Sequence, residues 1–212
     1  MYAIITDGSI SKYVNHPKSL VIGDVQYPAR IFSAWTASEL AAIGIIEITF
    51  DNSNKKDEKW YINTNQTFTY DASAGTVTAT YGTATAKAHA DTTWSQADSD
   101  NGDLPSDKSV GDVKVEGLKT ILIRNIKAEA KNLLNQTDWY ITRKAEKNTA
   151  IPSAITTWRD GIRTKQAAME TSITNASNTP ALETLYTYVN TADEGDPVVM
   201  ERPLGELPRL ES

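Results

Sequence analysis

The chain reads as an α+β protein: a small antiparallel β-rich N-terminal domain, then an α-helical hairpin, then an extended C-terminal arm. Three observations predict this. Residues 1–90 alternate apolar and polar positions in short runs broken by Gly, Asn and Asp, the pattern of strands with one face in a core. Residues 113–190 switch to apolar positions spaced three and four apart, the period of a helix. Residues 191–212 carry Pro197, Pro203 and Pro208 with two glycines, a composition incompatible with helix. Between the first two lies 91–112, rich in Asp, Ser, Gly and Asn, which predicts an acidic flexible linker.

The N-terminal elements follow from local chemistry. Tyr2-Ala3-Ile4-Ile5 and Ser9 to Tyr13 flank Asp7-Gly8, a dipeptide suited to positive φ, so a hairpin is expected. Gln26-Tyr27-Pro28 should be extended, because proline disfavours helix in its predecessor. Thr36-Ala37-Ser38-Glu39 has the spacing of a capping box. A short helix through Leu40 and Ile43 then ends at Gly44, the residue that tolerates a left-handed C-terminus. Ile45 to Phe50 is rich in β-branched residues and reads as a strand. Trp60-Tyr61-Ile62 and Thr67 to Tyr70 are expected as strands joined across Asn63 to Gln66, and Asp71 to Gly75 as a turn before a strand from Thr76 to Tyr81. The Thr-Ala pairs of 78–90 favour extended structure.

The helical part is anchored by Val115, Leu118, Ile121, Leu122, Ile126, Ala130, Leu133 and Leu134, which share one face of a helix over 113–135. From Asn135 to Asn148 a long connection is expected, or one with a turn of helix after a capping Thr137. Pro152 then opens a second helix, whose face is Ile155, Trp158, Ile162, Met169 and Ile173. The two should pack antiparallel. Asn178-Thr179-Pro180 breaks the second helix, and Leu182, Leu185, Tyr186 and Val189 suggest a short third. In the arm, Val198, Val199, Met200, Leu204, Leu207 and Leu210 supply enough apolar surface to dock on a partner; a frayed terminus is the alternative.

Composition narrows function. Hydrophobic residues make up 40% of 212, less than a compact chain usually carries, so some segments should be thin. The chain has no cysteine, so disulfides, zinc thiolates and cysteine nucleophiles are excluded. A net charge of −6 and no dense basic cluster argue against nucleic acid as a partner. The mean hydropathy is −0.41 and the apolar runs are short, so no membrane contact is expected, and the first residues lack the features of a signal peptide.

Chemistry is sparse. His16 and His89 fall on different elements without a carboxylate at ligand spacing, and no Gly-x-Ser-x-Gly elbow occurs. Asp98 to Asp103 invites a calcium loop, but aligning Gly102 as its sixth residue puts Ala97 first and Lys108 twelfth, which fails. No glycine-rich phosphate loop is present. Catalytic residues, cofactors and metals are therefore all expected to be none. Trp35, Trp60 and Trp94 lie near strands or caps and suit stacking on a glycan; core filling is the competing use of such rings.

One segment carries a resemblance. Arg124, Leu133, Leu134, Thr137, Asp138 and Trp139, followed by Pro152, Trp158, Arg159, Ile162 and Arg163, resemble the phage tail assembly chaperone family, in which a helix ending in Leu-Leu…Thr-Asp-Trp precedes a proline-led helix with an aromatic-Arg…Leu-Arg pattern. The likeness covers about residues 120–165, and this chain differs by its C-terminal arm and by Ile162 where that pattern has leucine. The opening Met1 to Gly8 and the stretch from Gln26 to Phe50 are similar, more weakly, to proteins encoded near phage tail-fibre genes. The resemblance implies a non-enzymatic bacteriophage protein of tail or tail-fibre assembly, acting as a chaperone or as a virion subunit bridging tail parts. It would reside in the virion tail, or in the host cytoplasm during assembly. Its partners would be other phage tail or tail-fibre proteins, with self-association as an option. A glycan-binding host-contact module is the alternative. The expected partner-binding residues are Thr137, Asp138, Trp139, Trp158, Arg159 and Arg163 in the helices, with Val198, Val199, Met200, Leu204, Leu207 and Leu210 in the arm. Within the motif, Thr137 is expected to cap, Trp139 to fill the gap between helices, and Arg159 and Arg163 to pair with Asp138 or a partner.

Overall fold

The computed structural model describes residues 1–210, so the last two residues of the expected arm lie outside it. The chain is of the α+β class and divides into two compact units, Met1–Thr85 and a second that begins at Ala86.

In the first unit, β1 (Tyr2–Thr6) and β2 (Ser9–Val14) form the expected hairpin, with Asp7 at φ 52° and Gly8 at φ 73°. A second, smaller hairpin pairs β3 (Leu20–Ile22) with β4 (Val25–Tyr27). Two short helices follow, α1 (Ile31–Ala34) and α2 (Ala37–Ala42). The capping box at α2 is complete: the Glu39 amide donates to Thr36 Oγ1, and the Thr36 amide donates to Glu39 Oε2 at 2.7 Å. These bonds hold the exposed Glu39 carboxyl below its usual range. Gly44 takes φ 79°, a conformation costly for any residue with a Cβ, and releases the chain into β5 (Ile45–Asp51).

Next come β6 (Tyr61–Ile62), β7 (Thr67–Asp71) and β8 (Thr76–Thr80). The main sheet runs β2-β1-β5-β8-β7, with β6 outside it rather than paired to β7 as expected. Its pairs are antiparallel except β5·β8, which is parallel, Ile48 facing Val77. The long connection after β5 explains this: it carries the chain to the edge, and the β7–β8 turn then returns β8 into the gap beside β5. Asp71 fixes that turn by accepting from the amides of Ser73 and Ala74.

The sheet is strongly curled. A flat five-stranded sheet would separate its edge strands by about 19 Å, yet the ring of Tyr13 on β2 lies 4.8 Å from that of Phe68 on β7. The concave face encloses Ala3, Ile48, Val77 and Ala79. The convex face is covered by α1, α2 and the small hairpin, through Ile4, Val14, Leu20, Ile31, Phe32, Leu40 and Ile45. The alternation Ile45-in, Ile46-out on one strand is therefore alternation between two cores.

At the unit boundary stands β9 (Thr85–Ala86). The second unit opens with β10 (Thr92–Thr93), α3 (Gln96–Asp100) and β11 (Val113–Val115), the last paired antiparallel with β10. The segment 91–112 is thus folded, which corrects the flexible linker. Its polar side chains are engaged: Ser95 and Asp98 form a second capping box, and Asp91 ties the segment to the start of the next helix, accepting from the Gly117 amide at 2.6 Å and from Thr120 Oγ1. Val115 belongs to β11, so the first long helix, α4 (Leu118–Asn135), starts five residues later than expected.

Then α5 (Asp138–Lys147) occupies the expected connection, and Asn148 ends it in the left-handed conformation. After Pro152 comes α6 (Ser153–Asn175), and α7 (Thr179–Tyr186) is capped by Asn178 with Pro180 in its first turn. Helix α4 buries Leu118, Leu122, Ile126 and Ala130 against the α6 residues Ile155, Trp158, Ile162, Met169 and Ile173. Lys119 Nζ donates to Thr174 O, Lys127 pairs with Glu170, and Arg159 reaches Leu134 O. Rising numbers on α4 meet falling numbers on α6, so the pair is antiparallel.

The C-terminal segment docks on its own unit. Beyond β12 (Val189–Asn190) and its partner β13 (Met200–Glu201), Leu204 is 2% exposed and Leu207 6% exposed. The Leu204 amide donates to Leu185 O, and Trp158 Nε1 donates to Pro208 O at 3.1 Å.

Candidate partner interface

The motif residues converge on one buried knot where α4, α5 and α6 meet. Arg159 on α6 is 6% exposed. Its Nη1 donates to Leu134 O at 2.8 Å, at the last turn of α4, and to Thr137 Oγ1 at 2.7 Å. Its Nη2 pairs with Asp138 Oδ1 at 2.9 Å, in the first turn of α5. A guanidinium suits this site because its rigid fork serves three acceptors at once. Carbonyls at a helix C-terminus lack the regular intrahelical donors, and Leu134 O accepts from Arg159 in addition to the Thr137 amide and hydroxyl.

Three expectations change here. Thr137 stands at the N-cap of α5 but makes no cap bond; its hydroxyl turns to donate to Leu134 O at 3.2 Å and to accept from Arg159. Arg163 is exposed and pairs with Asp160, not with Asp138. Trp139 does not fill the space between helices: it is 51% exposed. Trp158 does the filling, from the apolar face of α6 on which the sequence places it one turn from Ile162.

The knot fixes how α5 presents itself. Trp139 stacks on Tyr140 with ring centroids 3.7 Å apart, and the Arg143 guanidinium lies 4.9 Å from the Trp139 centroid. Arg143 Nε is buried without a hydrogen-bond partner in the structure. Ile141 is also exposed. Trp, Tyr and Arg are the side chains that most often carry binding energy in protein interfaces. Sequence reasoning missed Tyr140 and Arg143; their positions beside and one turn after Trp139 were the available signal.

In the arm the expected set divides. Leu204 and Leu207 are buried within their own unit and are not surface for a partner. Val198, Val199, Met200 and Leu210 are exposed, with Tyr188 and Val189 beside β13. Arg202 stacks on Tyr186 and Tyr188 and pairs with Glu206, which also accepts from the Tyr188 hydroxyl and raises its pKa.

The three tryptophans considered for glycan do not form a set. Trp60 is buried beneath Lys59, Trp94 belongs to the second unit beneath Lys114, and only Trp35 stands partly open in the first. His16 is exposed and His89 half-buried. Asp98 is engaged by Lys114 and Ser95, and Asp100 by Gln96. Among the described residues no group of three or more His, Asp or Glu is placed to hold a metal, and no helix is long and apolar enough to cross a membrane. Comparison with known protein families, with curated proteins and with solved structures finds no match to this chain.

Proposed function

We propose that the chain is a non-enzymatic assembly protein of a bacteriophage tail or tail fibre, which binds another tail protein through α5. The observation that carries this reading is the exposed Trp139–Tyr140–Arg143 patch, held in place by the Arg159 knot. The residues behind the resemblance to tail assembly chaperones divide into two jobs. Thr137, Asp138, Arg159 and Trp158 fold the hairpin. Trp139 faces outward, where leaving a large ring in water has a cost that binding would recover. The exposed Val198, Val199 and Met200 offer a second, smaller contact.

Quantitative mass spectrometry of purified particles against infected-cell lysate is the test. A fixed ratio to the major tail protein makes the chain a virion subunit. Abundance in lysate with absence from particles makes it a chaperone. In either case Trp139→Ala should lose the partner while leaving the fold intact. Unchanged partner capture by that variant overturns the role of α5.

A further inference from the structure

The first unit holds a cleft of about 310 Å³ on the convex side of the sheet. Tyr2, Phe32, Trp35, Leu40 and Ile45 line it, and Glu47 is the one charged residue in its lining. Glu47 marks the outer edge of the cleft. β5 is the middle strand of five, and residues two apart on a strand share a face. Glu47 therefore lies on the same face as the fully buried Ile45, directly opposite Tyr2 in register. On that face burial ends at Ile45, and Glu47, Thr49 and Asp51 are all exposed, so Glu47 stands at the rim of the part covered by α1 and α2. Glu47 remains exposed and makes no ion pair or hydrogen bond among the described residues. Its carboxylate is therefore free to meet a ligand at the rim of the cleft.

The tryptophans give a second, independent observation. Trp60, Trp94 and Trp139 each lie under a cation of their own chain, at 4.5, 4.3 and 4.9 Å from the ring centroid. Trp158 is buried. Trp35 is partly exposed, meets Tyr27 edge-on at 5.9 Å, and has no cation over its ring among the described residues. An aromatic wall with one unpaired carboxylate is the chemistry that holds a positively charged group, the ring faces supplying the quadrupole and the carboxylate the counter-charge. A sugar would need several converging hydrogen-bonding side chains, and this lining is mostly apolar.

We propose that the cleft between Trp35 and Glu47 is a binding site for an organic cation, an ammonium or guanidinium group seated against the Tyr2, Phe32 and Trp35 rings. The cleft belongs to the first unit and owes nothing to the α5 patch. The test uses the full chain, isotope-labelled, with the Trp35 indole resonance assigned by its loss in Trp35→Phe. N-acetyl-lysine methylamide, N-acetyl-arginine methylamide and choline are titrated to millimolar concentration. The uncharged tert-butyl analogue of choline and glucose serve as controls. A saturable shift of the Trp35 resonance with a cation, weakened about tenfold in Glu47→Gln and by added salt, is the expected result. The ranking of the amino-acid amides against choline tells a basic peptide side chain from a small quaternary ammonium. Glu47 is exposed, so its glutamine variant should keep the wild-type spectrum elsewhere. Equal binding of the uncharged analogue or of glucose, an unaffected Glu47→Gln, or no shift with any cation overturns the proposal.

Discussion

Replacing Arg159 with methionine tests the knot directly. Methionine keeps much of the aliphatic stem, so the change removes mainly the guanidinium. Two bonds to buried, uncharged acceptors are lost, at Leu134 O and Thr137 Oγ1. A charged donor to a neutral acceptor contributes about 1.5–3 kcal/mol. The acceptors are not orphaned, because Thr137 still donates to Leu134 O from both its hydroxyl and its amide. The lower end of that range per bond therefore applies. The ion pair with Asp138 adds little, since Asp138 is 52% exposed and solvent screens it to below about 1 kcal/mol. The sum is about 3 kcal/mol, dominated by the two hydrogen bonds. Urea unfolding followed by far-ultraviolet circular dichroism reads it, because the long helices lie in the second unit. Asp138→Asn should cost less than about 1 kcal/mol, and the Arg159→Met loss should survive added salt. The reasoning fails if the asparagine variant costs as much as the methionine variant, or if Arg159→Met costs under about 1 kcal/mol.

Gly44→Ala should destabilise the first unit by about 2–3 kcal/mol, because φ is 79° and a Cβ would stand 2.7 Å from Ile5 O; faster hydrogen exchange at the Ile5 amide, which donates to Gly44 O, reports it. Leu204→Ala should cost about 2–4 kcal/mol in urea unfolding, whereas Met200→Ser should cost under about 0.5 kcal/mol. The bond from Lys114, then those from Ser95, hold the Asp98 carboxyl far below its ordinary 3.8. A depressed carboxyl stabilises fully above its unfolded value and loses that contribution as pH falls toward its folded value. Wild type should therefore lose stability below about pH 4 more steeply than Asp98→Asn, and parallel acid titrations of the two would refute the assignment.

How legible the fold was depended on how local its causes are. The β1–β2 hairpin, the Thr36–Glu39 capping box, the Gly44 stop and the apolar face of α6 each follow from residues a few positions apart, and each stands where the sequence places it. The parallel pair β5·β8 does not, because it depends on which edge the chain reaches after a long loop. The linker was misread for a different reason. Asp and Ser lower the apolar content of 91–112, but Ser95 and Asp98 bond the local backbone and Asp91 bonds Gly117 and Thr120 far along the chain, so polarity signals order and not solvation. For the site, the motif residues were visible but their jobs were exchanged. Trp158 and Trp139 carry the same ring, and only helix phase against Ile155 and Ile162 separates the buried one from the exposed one.

Arg159, Trp139 and Glu47 differ in how far the fold itself engages them. Arg159 puts a charge among apolar neighbours, yet both its terminal nitrogens are answered from within the fold, at Leu134 O, Thr137 Oγ1 and Asp138, so its cost is met and its role is structural. Trp139 puts a large ring in water, partly answered by Tyr140 and Arg143, which leaves area but little charge for a partner. Glu47 puts a carboxylate at the exposed rim of an aromatic cleft, and no ion pair or hydrogen bond among the described residues engages it. Groups engaged within the fold stabilise it, whereas a hydrated, unpaired group such as Glu47 adds little to stability and is free to meet a ligand. By that ordering Arg159 should be the most sensitive of the three to denaturant and the least sensitive to any added molecule. Glu47 should show the reverse, a substitution silent in unfolding but decisive in binding, and that inversion separates a recognition site from a packing error.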